Sequence, residues 1–359
     1  MPDTNQKSDK GFFADLYDQQ IMACVKELKL DDPTMRQFTF KKPKDTLSEL
    51  ALVIKCCDSI LKAIPSIPIM EDRNKELIGI ISLVDLLKFL PPGDKLPKKY
   101  FANNQTQLIA LLQEVNAFIL KNQSITIEEA FSIELENFSG NAVHILDSLF
   151  LNDLFQSLID AADGKIKYRT LPIVRHDPDN GGFEVRRMWS YIDALQLIIE
   201  MKDRGTDSFL QEKVATICTR SVYTLKQDDQ LSQALINIEN LSFFPTHLPI
   251  TAAGGLTTGR TPVSGIVDEA LIYTLLHNIF SQALAAMPIS YIAKPIQPKE
   301  IVKLDTKIGD LIEIFINRLT KPTAILVGDY NKKTKEFEMD GIVNYVDLLN
   351  RFLAWSKES

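Results

Sequence analysis

The chain has little of the chemistry that holds metals or forms covalent intermediates. It carries four cysteines and four histidines in 359 residues, and neither set shows a metal-ligand spacing such as CxxC or HxxxH. Cys56 and Cys57 are neighbours in a predicted helix, and they indicate buried, reduced thiols in a reducing compartment. No nucleophile elbow, zinc-protease or kinase signature is present. We therefore predict that the protein is not an enzyme and requires no cofactor or metal.

Long apolar runs and a surplus of positive charge are also missing. No apolar run approaches the roughly 20 residues that a membrane-spanning helix needs. Residues 1–10 are polar and lack the apolar core of a signal peptide. The formal net charge is −7, which disfavours general affinity for nucleic acid or anionic membranes. These absences predict a cytoplasmic protein whose partners are neither nucleic acid nor membrane.

What the chain does have is a short pattern that returns. An apolar run, a small polar residue and, three positions later, an aspartate occur at residues 79–85, 187–193 and 341–347. Each copy continues into an amphipathic stretch. A degenerate copy at residues 265–271 lies about midway between the last two copies, with Leu271 in place of the aspartate. An internal repeat of this kind predicts four copies of one structural unit.

Landmarks upstream of the pattern recur with it. A helix start is predicted at Asp45, Asp229 and Thr306, in units 1, 3 and 4. In every unit an apolar strand and a polar turn then precede the strand that ends in the repeated pattern. Each unit therefore reads helix, strand, hairpin turn, strand, helix.

This order resembles the CBS domain (the cystathionine-β-synthase domain) over about residues 35–357. In that family the unit is β-α-β-β-α, and two units pair across their sheets into a Bateman module. The resemblance implies an α/β (α+β) fold of four CBS repeats in two Bateman modules, as in the gamma subunit of AMP-activated protein kinase or in free-standing CBS-domain proteins. The implied boundaries are a tail and amphipathic helix at 1–34, repeat 1 at 35–90, a helical junction at 91–140, repeat 2 at 141–205, a degenerate repeat 3 at 206–285 and repeat 4 at 286–359.

The repeated aspartate suits a ribose. An ionised carboxylate offers two acceptor oxygens, and a ribose diol offers two adjacent donors. A helix cap without any ligand is the alternative interpretation. By resemblance, the aspartate holds the ribose, and the polar residue three positions earlier lies near the ribose or a phosphate. The pairs are Ser82 with Asp85, Ser190 with Asp193 and Asn344 with Asp347, whereas the unit with Leu271 is expected to lack this grip.

Phosphates of a bound nucleotide require cationic or hydroxyl partners. Such residues stand just before the apolar strands of units 2 and 4, where the family often places basic residues. Unit 2 is the better candidate for a phosphate site, and solvated surface charge is the alternative interpretation. The candidate residues are Lys167, Arg169, Thr170 and Thr323.

Some segments fall outside the repeated pattern. Residues 12–30 predict an amphipathic helix, and residues 105–120 and 127–138 predict helices within the junction. These segments pack on their own chain or contact a partner. Residues 252–262 of unit 3 are rich in glycine and threonine, and we predict a mobile hairpin loop there, with Arg260 as the residue to test for anion binding.

These observations predict a non-catalytic regulatory protein, an energy-sensing subunit that binds AMP, ADP or ATP in the clefts of its repeats and signals occupancy to a partner. The resemblance points to protein-kinase subunits as that partner, and a homodimer is the alternative. S-adenosyl compounds and dinucleotides also carry ribose and adenine, so the ligand is predicted only as adenosine-containing. The second hypothesis is an interaction scaffold with vestigial clefts, which Leu271, Arg187 in place of glycine and Asn344 in place of serine favour.

Overall fold

The computed structural model describes the hairpins of all four units and most of the chain from residue 182 onward. The helix predicted before unit 1, much of the 91–140 junction and the helices predicted for units 1 and 3 lie outside the described part. The described residues are 42, 44–45, 66–70, 77–82, 126–130, 145–146, 151–162, 170–176, 182–230, 247–268, 288–317, 322, 324–331, 333 and 336–358.

Unit 1 contributes a hairpin to the described part of the chain. Strand β1 (Ser66–Met70) pairs antiparallel with β2 (Leu77–Ser82). In the junction that follows, helix α1 (Ile127–Ala130) begins with a capping box. The backbone N–H of Thr126 donates to Glu129 at 3.0 Å, and the Glu129 N–H donates to the Thr126 hydroxyl at 3.2 Å. The helix predicted for this part of the junction thus starts where the sequence places it.

Unit 2 is a complete β-α-β-β-α unit. Its first strand runs parallel to its second, and the second pairs antiparallel with the third. Two parallel strands need a crossover connection, which the first helix provides. The elements are β3 (Ile145–Leu146), α2 (Leu151–Ala162), β4 (Thr170–His176), β5 (Phe183–Ser190) and α3 (Tyr191–Glu200).

Unit 3 shows the same strand arrangement with an addition. A short helix and two 3-10 turns connect it to unit 2, and its sheet has the order β10-β7-β6-β8. Strand β6 runs parallel to β7, and β7 pairs antiparallel with β10. The elements are α4 (Asp207–Leu210), β6 (Val222–Lys226), β7 (His247–Thr251), β8 (Gly255–Thr257), β9 (Thr261–Val263) and β10 (Gly265–Asp268).

The glycine- and threonine-rich segment of unit 3 is not the loop that the sequence predicts. Strand β8 pairs with β6 of its own unit, while β9 pairs with a strand of unit 4. Gly254 and Gly255 have φ values of 68° and 84°, a conformation that glycine adopts without strain. The Thr251 hydroxyl accepts from the Gly254 N–H at 3.0 Å and bonds to the Thr224 hydroxyl at 3.0 Å. Buried hydrogen bonds therefore fix the turn before β8.

Unit 4 is the second complete unit, and it borrows one strand. Its sheet has the order β11-β12-β13-β9, so the last strand comes from unit 3. Its first strand is parallel to its second, and the second is antiparallel to the third, as in unit 2. The elements are α5 (Ile289–Ile292) before the unit, then β11 (Ile301–Val302), α6 (Ile308–Asn317), β12 (Ala324–Asn331), β13 (Glu336–Asn344) and α7 (Tyr345–Glu358).

The register of the four hairpins confirms the alignment of the repeated pattern. In each hairpin the first residue of the pattern lies opposite the third apolar residue of the preceding strand. The fourth residue of the pattern lies opposite the first residue of that strand, which is Ser66, Thr170, His247 and Ala324 in the four units. The aligned first positions are Gly79 opposite Ile69, Arg187 opposite Ile173, Gly265 opposite Ile250 and Gly341 opposite Val327.

The predicted helix starts also share one local geometry. In three units a backbone N–H donates to the side chain three residues later. These bonds run from Lys42 to Asp45 at 2.9 Å, from Lys226 to Asp229 at 3.4 Å and from Lys303 to Thr306 at 3.0 Å. The turn therefore repeats where the sequence pattern predicts it.

Units 2 and 4 are joined through their helices. Helix α2 packs on α7, and α3 packs on α6, so each unit's first helix contacts the other unit's last helix. At the centre, the rings of Tyr191 and Tyr345 stack with centroids 4.6 Å apart. The Tyr191 hydroxyl donates to the Pro322 carbonyl at 3.1 Å. One continuous buried core runs through both units.

Other contacts join the units through their sheets. Strands β1 and β2 of unit 1 contact β4 and β5 of unit 2, and β9 of unit 3 is hydrogen-bonded to β13 of unit 4. Unit 1 thus lies against unit 2 and unit 3 against unit 4, in keeping with the predicted α/β fold. The predicted domain boundaries and the N-terminal helix at 12–30 stay predictions. The helix and every boundary except the one between residues 205 and 206 fall outside the described ranges.

Candidate functional site

The aspartate of unit 4 lies at the junction of a strand and a helix. Strand β13 ends at Asn344 and α7 begins at the next residue. The Asn344 N–H donates to Asp347 Oδ2 at 2.9 Å, and the Asp347 N–H donates to Asn344 Oδ1 at 2.9 Å. This reciprocal pair caps the helix. It also holds the carboxylate in one orientation and engages only one of its oxygens.

The other carboxylate oxygen of Asp347 faces a segment from unit 3. The Thr219 hydroxyl donates to Asp347 Oδ1 at a long 3.4 Å. Thr219 is held against strand β13 by two backbone bonds of 2.9 Å with Ile342, one in each direction. Sequence reasoning missed Thr219, because its partners are more than a hundred positions away. The second carboxylate oxygen of Asp347 and the hydroxyl of Thr219 thus lie together beside the start of α7.

A glycine makes this approach possible. A Cβ at Gly341 would lie 2.5 Å from the Sγ of Cys218 and 2.5 Å from the Thr219 carbonyl oxygen. No side chain fits in that space, so the backbone of the 218–219 segment passes directly over the strand. The glycine of the repeated pattern was the only sequence signal of this close approach.

Burial sets the protonation behaviour of the unit 4 acid. Desolvation raises the pKa of Asp347 to about 6, although its hydrogen bonds with Asn344 and Thr219 act in the opposite direction. The protein therefore supplies fewer donors than the charged carboxylate would accept. Two further hydroxyl donors from a ligand would stabilise the charge that burial disfavours.

The aspartate of unit 2 has the same cap. Helix α3 begins after Ser190, whose N–H and hydroxyl both donate to Asp193 Oδ2, at 2.7 Å and 2.6 Å. The Asp193 N–H donates back to the Ser190 hydroxyl at 3.3 Å, which completes a capping box. The local geometry of the two predicted pairs is therefore shared.

The surroundings of the unit 2 acid differ from those in unit 4. Nη2 of Arg187 lies 3.8 Å from Asp193 Oδ1, and these side chains are 4% and 14% exposed. The guanidinium also lies over the Trp189 ring, 5.0 Å from its centroid, a favourable cation–π geometry. A buried cation thus faces the oxygen that corresponds to the open side of Asp347.

Thr170 lies on the strand that pairs with the end of β5. It is directly opposite Ser190 in the antiparallel pair, so both side chains lie on one face of the sheet. Its hydroxyl is buried and finds no hydrogen-bond partner among the described residues, as is also true of the Trp189 indole nitrogen. Buried polar groups normally have a partner. The sheet of unit 2 therefore carries two buried groups, the Thr170 hydroxyl and the Trp189 indole N–H, that could still form hydrogen bonds.

Of the remaining predicted site residues, the structure describes the backbone position of one. Ser82 ends strand β2, opposite Ser66, which matches the position of Ser190 in its own hairpin. The other predicted residues lie outside the described ranges, so their participation stays a prediction. They are Asp85, Lys167, Arg169 and Thr323.

Arg260 has a role in joining units. Its guanidinium forms ion pairs with Asp329, with Glu338 at 3.0 Å and with Asp340 at 3.7 Å, all in the hairpin of unit 4. Half of the Arg260 side chain is exposed, so this network contributes modestly to stability. Its partners are acids of the protein, which accounts for its charge without a bound anion.

The described residues also bear on two other kinds of site. These residues contain no group of three or more His, Cys, Asp or Glu side chains placed to hold a metal ion. Within the same ranges, no helix combines the length and the apolar character that crossing a membrane requires.

Known proteins share this architecture. Residues 35–92 match the model of the CBS domain family, and no curated protein matches the chain. Protein MJ1225 from Methanocaldococcus jannaschii, proposed as an archaeal homologue of g-AMPK, has a TM-score of 0.63 at 16% identity, covering 93% of this chain and 100% of that chain. An uncharacterized conserved protein from Pyrococcus horikoshii has a TM-score of 0.44 at 13% identity, and the match covers 82% of this chain and 93% of that chain. Residues 35–92 thus match the CBS domain family, and the chain as a whole shares the fold of protein MJ1225.

Proposed function

We propose that the protein is a non-catalytic regulatory protein that binds an adenosine nucleotide at unit 4. The observation that carries this proposal is the carboxylate of Asp347. One of its oxygens is fixed by the cap of α7, and among the described residues the other accepts only a long bond from Thr219. A ribose diol supplies two donors to such an acceptor.

The chemistry of the proposed complex follows from the helix start. At neutral pH, Asp347 is mostly ionised, because its pKa lies at about 6. Its free lone pairs accept the 2′ and 3′ hydroxyls, while the amide groups at the start of α7 favour a nearby phosphate. Asn344 and Thr219 stand on either side of the carboxylate. AMP, ADP and ATP then differ in affinity through their phosphate charge.

The position of Thr219 suggests how occupancy is transmitted. Thr219 belongs to the segment of unit 3 just before β6, and the same segment is held on unit 4 by Ile342. A ligand that competes for Asp347 changes the bond that secures this segment. Regulation requires that the ligand bind two arrangements of the segment with different affinity. The fold shared with a proposed homologue of g-AMPK supports a protein kinase as the partner.

Calorimetry with matched ligands tests the proposal. Wild-type protein should bind AMP and lose about 10- to 100-fold in affinity for 2′-deoxy-AMP, because a hydrogen bond to a charged group is worth about 1.5–3 kcal/mol. Asp347→Asn should weaken AMP binding similarly. In that variant, the difference between AMP and 2′-deoxy-AMP should disappear.

Asp310→Asn is the matched control. Asp310 is an exposed acid in the first turn of α6, in the same unit, and its substitution should leave AMP binding unchanged. Wild-type affinity in folded Asp347→Asn protein would contradict the proposal, as would an equal response to both substitutions.

An interaction scaffold is the second candidate. The ion pair between Arg187 and Asp193 favours it for unit 2, because that acid already has a cationic partner. Folded wild-type protein that captures a protein partner and binds none of AMP, ADP or ATP would support the scaffold and contradict nucleotide sensing.

A further inference from the structure

At the first position of the repeated pattern, unit 2 differs from the other three units. The aligned residue is glycine at positions 79, 265 and 341, whereas unit 2 has Arg187. In units 3 and 4 another segment of the chain passes over this glycine. A Cβ at Gly265 would lie 3.1 Å from the Lys294 carbonyl oxygen, and one at Gly341 would lie 2.5 Å from that of Thr219. An arginine side chain has no room in either place.

In unit 2 the arginine turns inward. Arg187 is only 3% exposed, although the arginine side chain is long and charged. Its guanidinium is placed between the ring of Trp189 and the carboxylate of Asp193. Buried arginines are rare unless a carboxylate or an aromatic face receives them, and this one has both.

The consequence falls on the acid that the repeat supplies for ribose. Asp193 Oδ2 accepts two bonds from Ser190, and Oδ1 faces Arg187 Nη2 at 3.8 Å. The corresponding oxygen of Asp347 faces a neutral hydroxyl instead. A hydroxyl can rotate or move aside for a ligand, but the guanidinium carries a full charge that needs its counter-ion when buried.

We infer that Arg187 is a built-in counter-ion that closes unit 2 to ribose and thereby determines which repeats bind a nucleotide. This inference rests on the proposed function, since it concerns the same chemistry in a second repeat. A diol entering unit 2 would have to displace the guanidinium from Asp193, and the buried cation would lose that ion pair. The free energy lost with that ion pair exceeds the free energy that two hydrogen bonds from the diol would supply.

The rest of the unit 2 wall remains suited to a ligand. The capping box presents Asp193 in the same orientation as Asp347. The buried hydroxyl of Thr170, opposite Ser190, has no partner in the described part of the chain. Removal of the arginine should therefore restore a site rather than only leave a hole.

Titration calorimetry with AMP tests the inference by gain of function. Arg187→Gly, the residue of the other three repeats, should bind one more AMP per chain than wild type. The added site should vanish in Arg187→Gly/Asp193→Asn and should prefer AMP over 2′-deoxy-AMP by about 10-fold or more. Arg187→Met, which keeps the apolar length without the charge, tests whether charge alone closes the cleft, and it should also gain the site, with weaker affinity.

Several outcomes would overturn the inference. Folded Arg187→Gly and Arg187→Met proteins with wild-type stoichiometry would do so while leaving the proposed function intact. A site lost from wild type on Asp193→Asn would also do so, because unit 2 would then be open already, and this test applies even if the arginine variants do not fold. Wild type with no AMP binding overturns the proposed function itself.

Discussion

Units 2 and 4 share a backbone and differ in what faces their repeated aspartate. Both acids cap the helix that follows the hairpin, through bonds with the residue three positions earlier. The free oxygen then faces Arg187 in unit 2 and Thr219 in unit 4. The repeat thus preserves the geometry of the site more closely than its chemistry. The fold fixes the carboxylate, and one residue decides whether its charge remains available.

The difference also separates what each acid does for stability. Asp193 neutralises a buried cation, so the folded state depends on its charge. Asp347 is desolvated with few donors, so its charge opposes folding, as the pKa of about 6 indicates. The same residue in the same motif therefore stabilises the fold in one unit and strains it in the other. Substitutions at the two acids separate these roles.

The largest expected effect comes from Asp193→Ala. It removes the carboxylate that faces the guanidinium of Arg187, and breaking such a buried pair costs about 3–5 kcal/mol. Asp347→Ala should cost only about 1 kcal/mol, because it removes a cap and relieves a desolvated charge. Urea unfolding of both variants measures the two losses.

The double variant Arg187→Met/Asp193→Ala is the control for this comparison. It removes both charges and should recover most of the stability lost in Asp193→Ala, since no buried cation remains. Equal losses for the two single alanine variants would mean that both acids act only as caps, and the contrast between the units would fail.

The pH dependence of stability sharpens the contrast from the side of unit 4. The folded state holds the Asp347 proton more tightly than the unfolded chain, since its pKa rises from 3.8 to about 6. The bound proton on Asp347 therefore contributes at most about 3 kcal/mol to the free energy of unfolding. This contribution is complete below about pH 4 and is lost as the pH rises through 6. Asp347→Asn should lack this decline.

The measurement is the free energy of unfolding of wild type and Asp347→Asn at several pH values between 4 and 7. Subtraction cancels the titration of all other groups, and Asp310→Asn serves as a variant of equal charge change at an exposed position. Parallel curves for wild type and Asp347→Asn would show that burial does not perturb this acid.

The smallest of the three effects is expected for Gly341→Ala. The added Cβ would meet Cys218 Sγ and the Thr219 carbonyl at 2.5 Å, so the segment over β13 must shift, at about 1–3 kcal/mol. AMP affinity should fall with it. Gly259→Ala is the matched control, since nothing lies within 4 Å of its Cβ position. Thermal unfolding that ranks Gly259→Ala as the more damaging change would contradict this account.

The architecture was open to prediction because it rests on local patterns that repeat. Apolar strands, polar turns and a capping aspartate follow from residues close together in sequence, and four copies reinforce one another. The register of the hairpins places residues 79, 187, 265 and 341 at one position, as the sequence alignment does. The capping boxes of Asp193 and Asp347 were predicted as the alternative to a ligand role, and they are present.

The parts that sequence reasoning missed depend on contacts between distant residues. No local signal brings Thr219 to Asp347, because a segment of unit 3 must first cross unit 4. The pattern showed Arg187 only as a departure from glycine, and its burial against Trp189 requires the folded sheet. Residues 252–262 read as a loop because β8 and β9 are three residues each. Strands this short form only when neighbouring strands are already in place.

The strand that unit 3 lends to unit 4 has a consequence for how the chain can be divided. Strand β9 completes the sheet whose strand β13 delivers Asn344 and the helix bearing Asp347. A fragment that begins at the predicted boundary of residue 286 would lack β9 and present β13 as an open edge, which invites pairing with other chains. The repeat is thus a unit of sequence but not of folding. A fragment that contains unit 4 should retain β9, and it should also retain the helices of unit 2 that share its buried core.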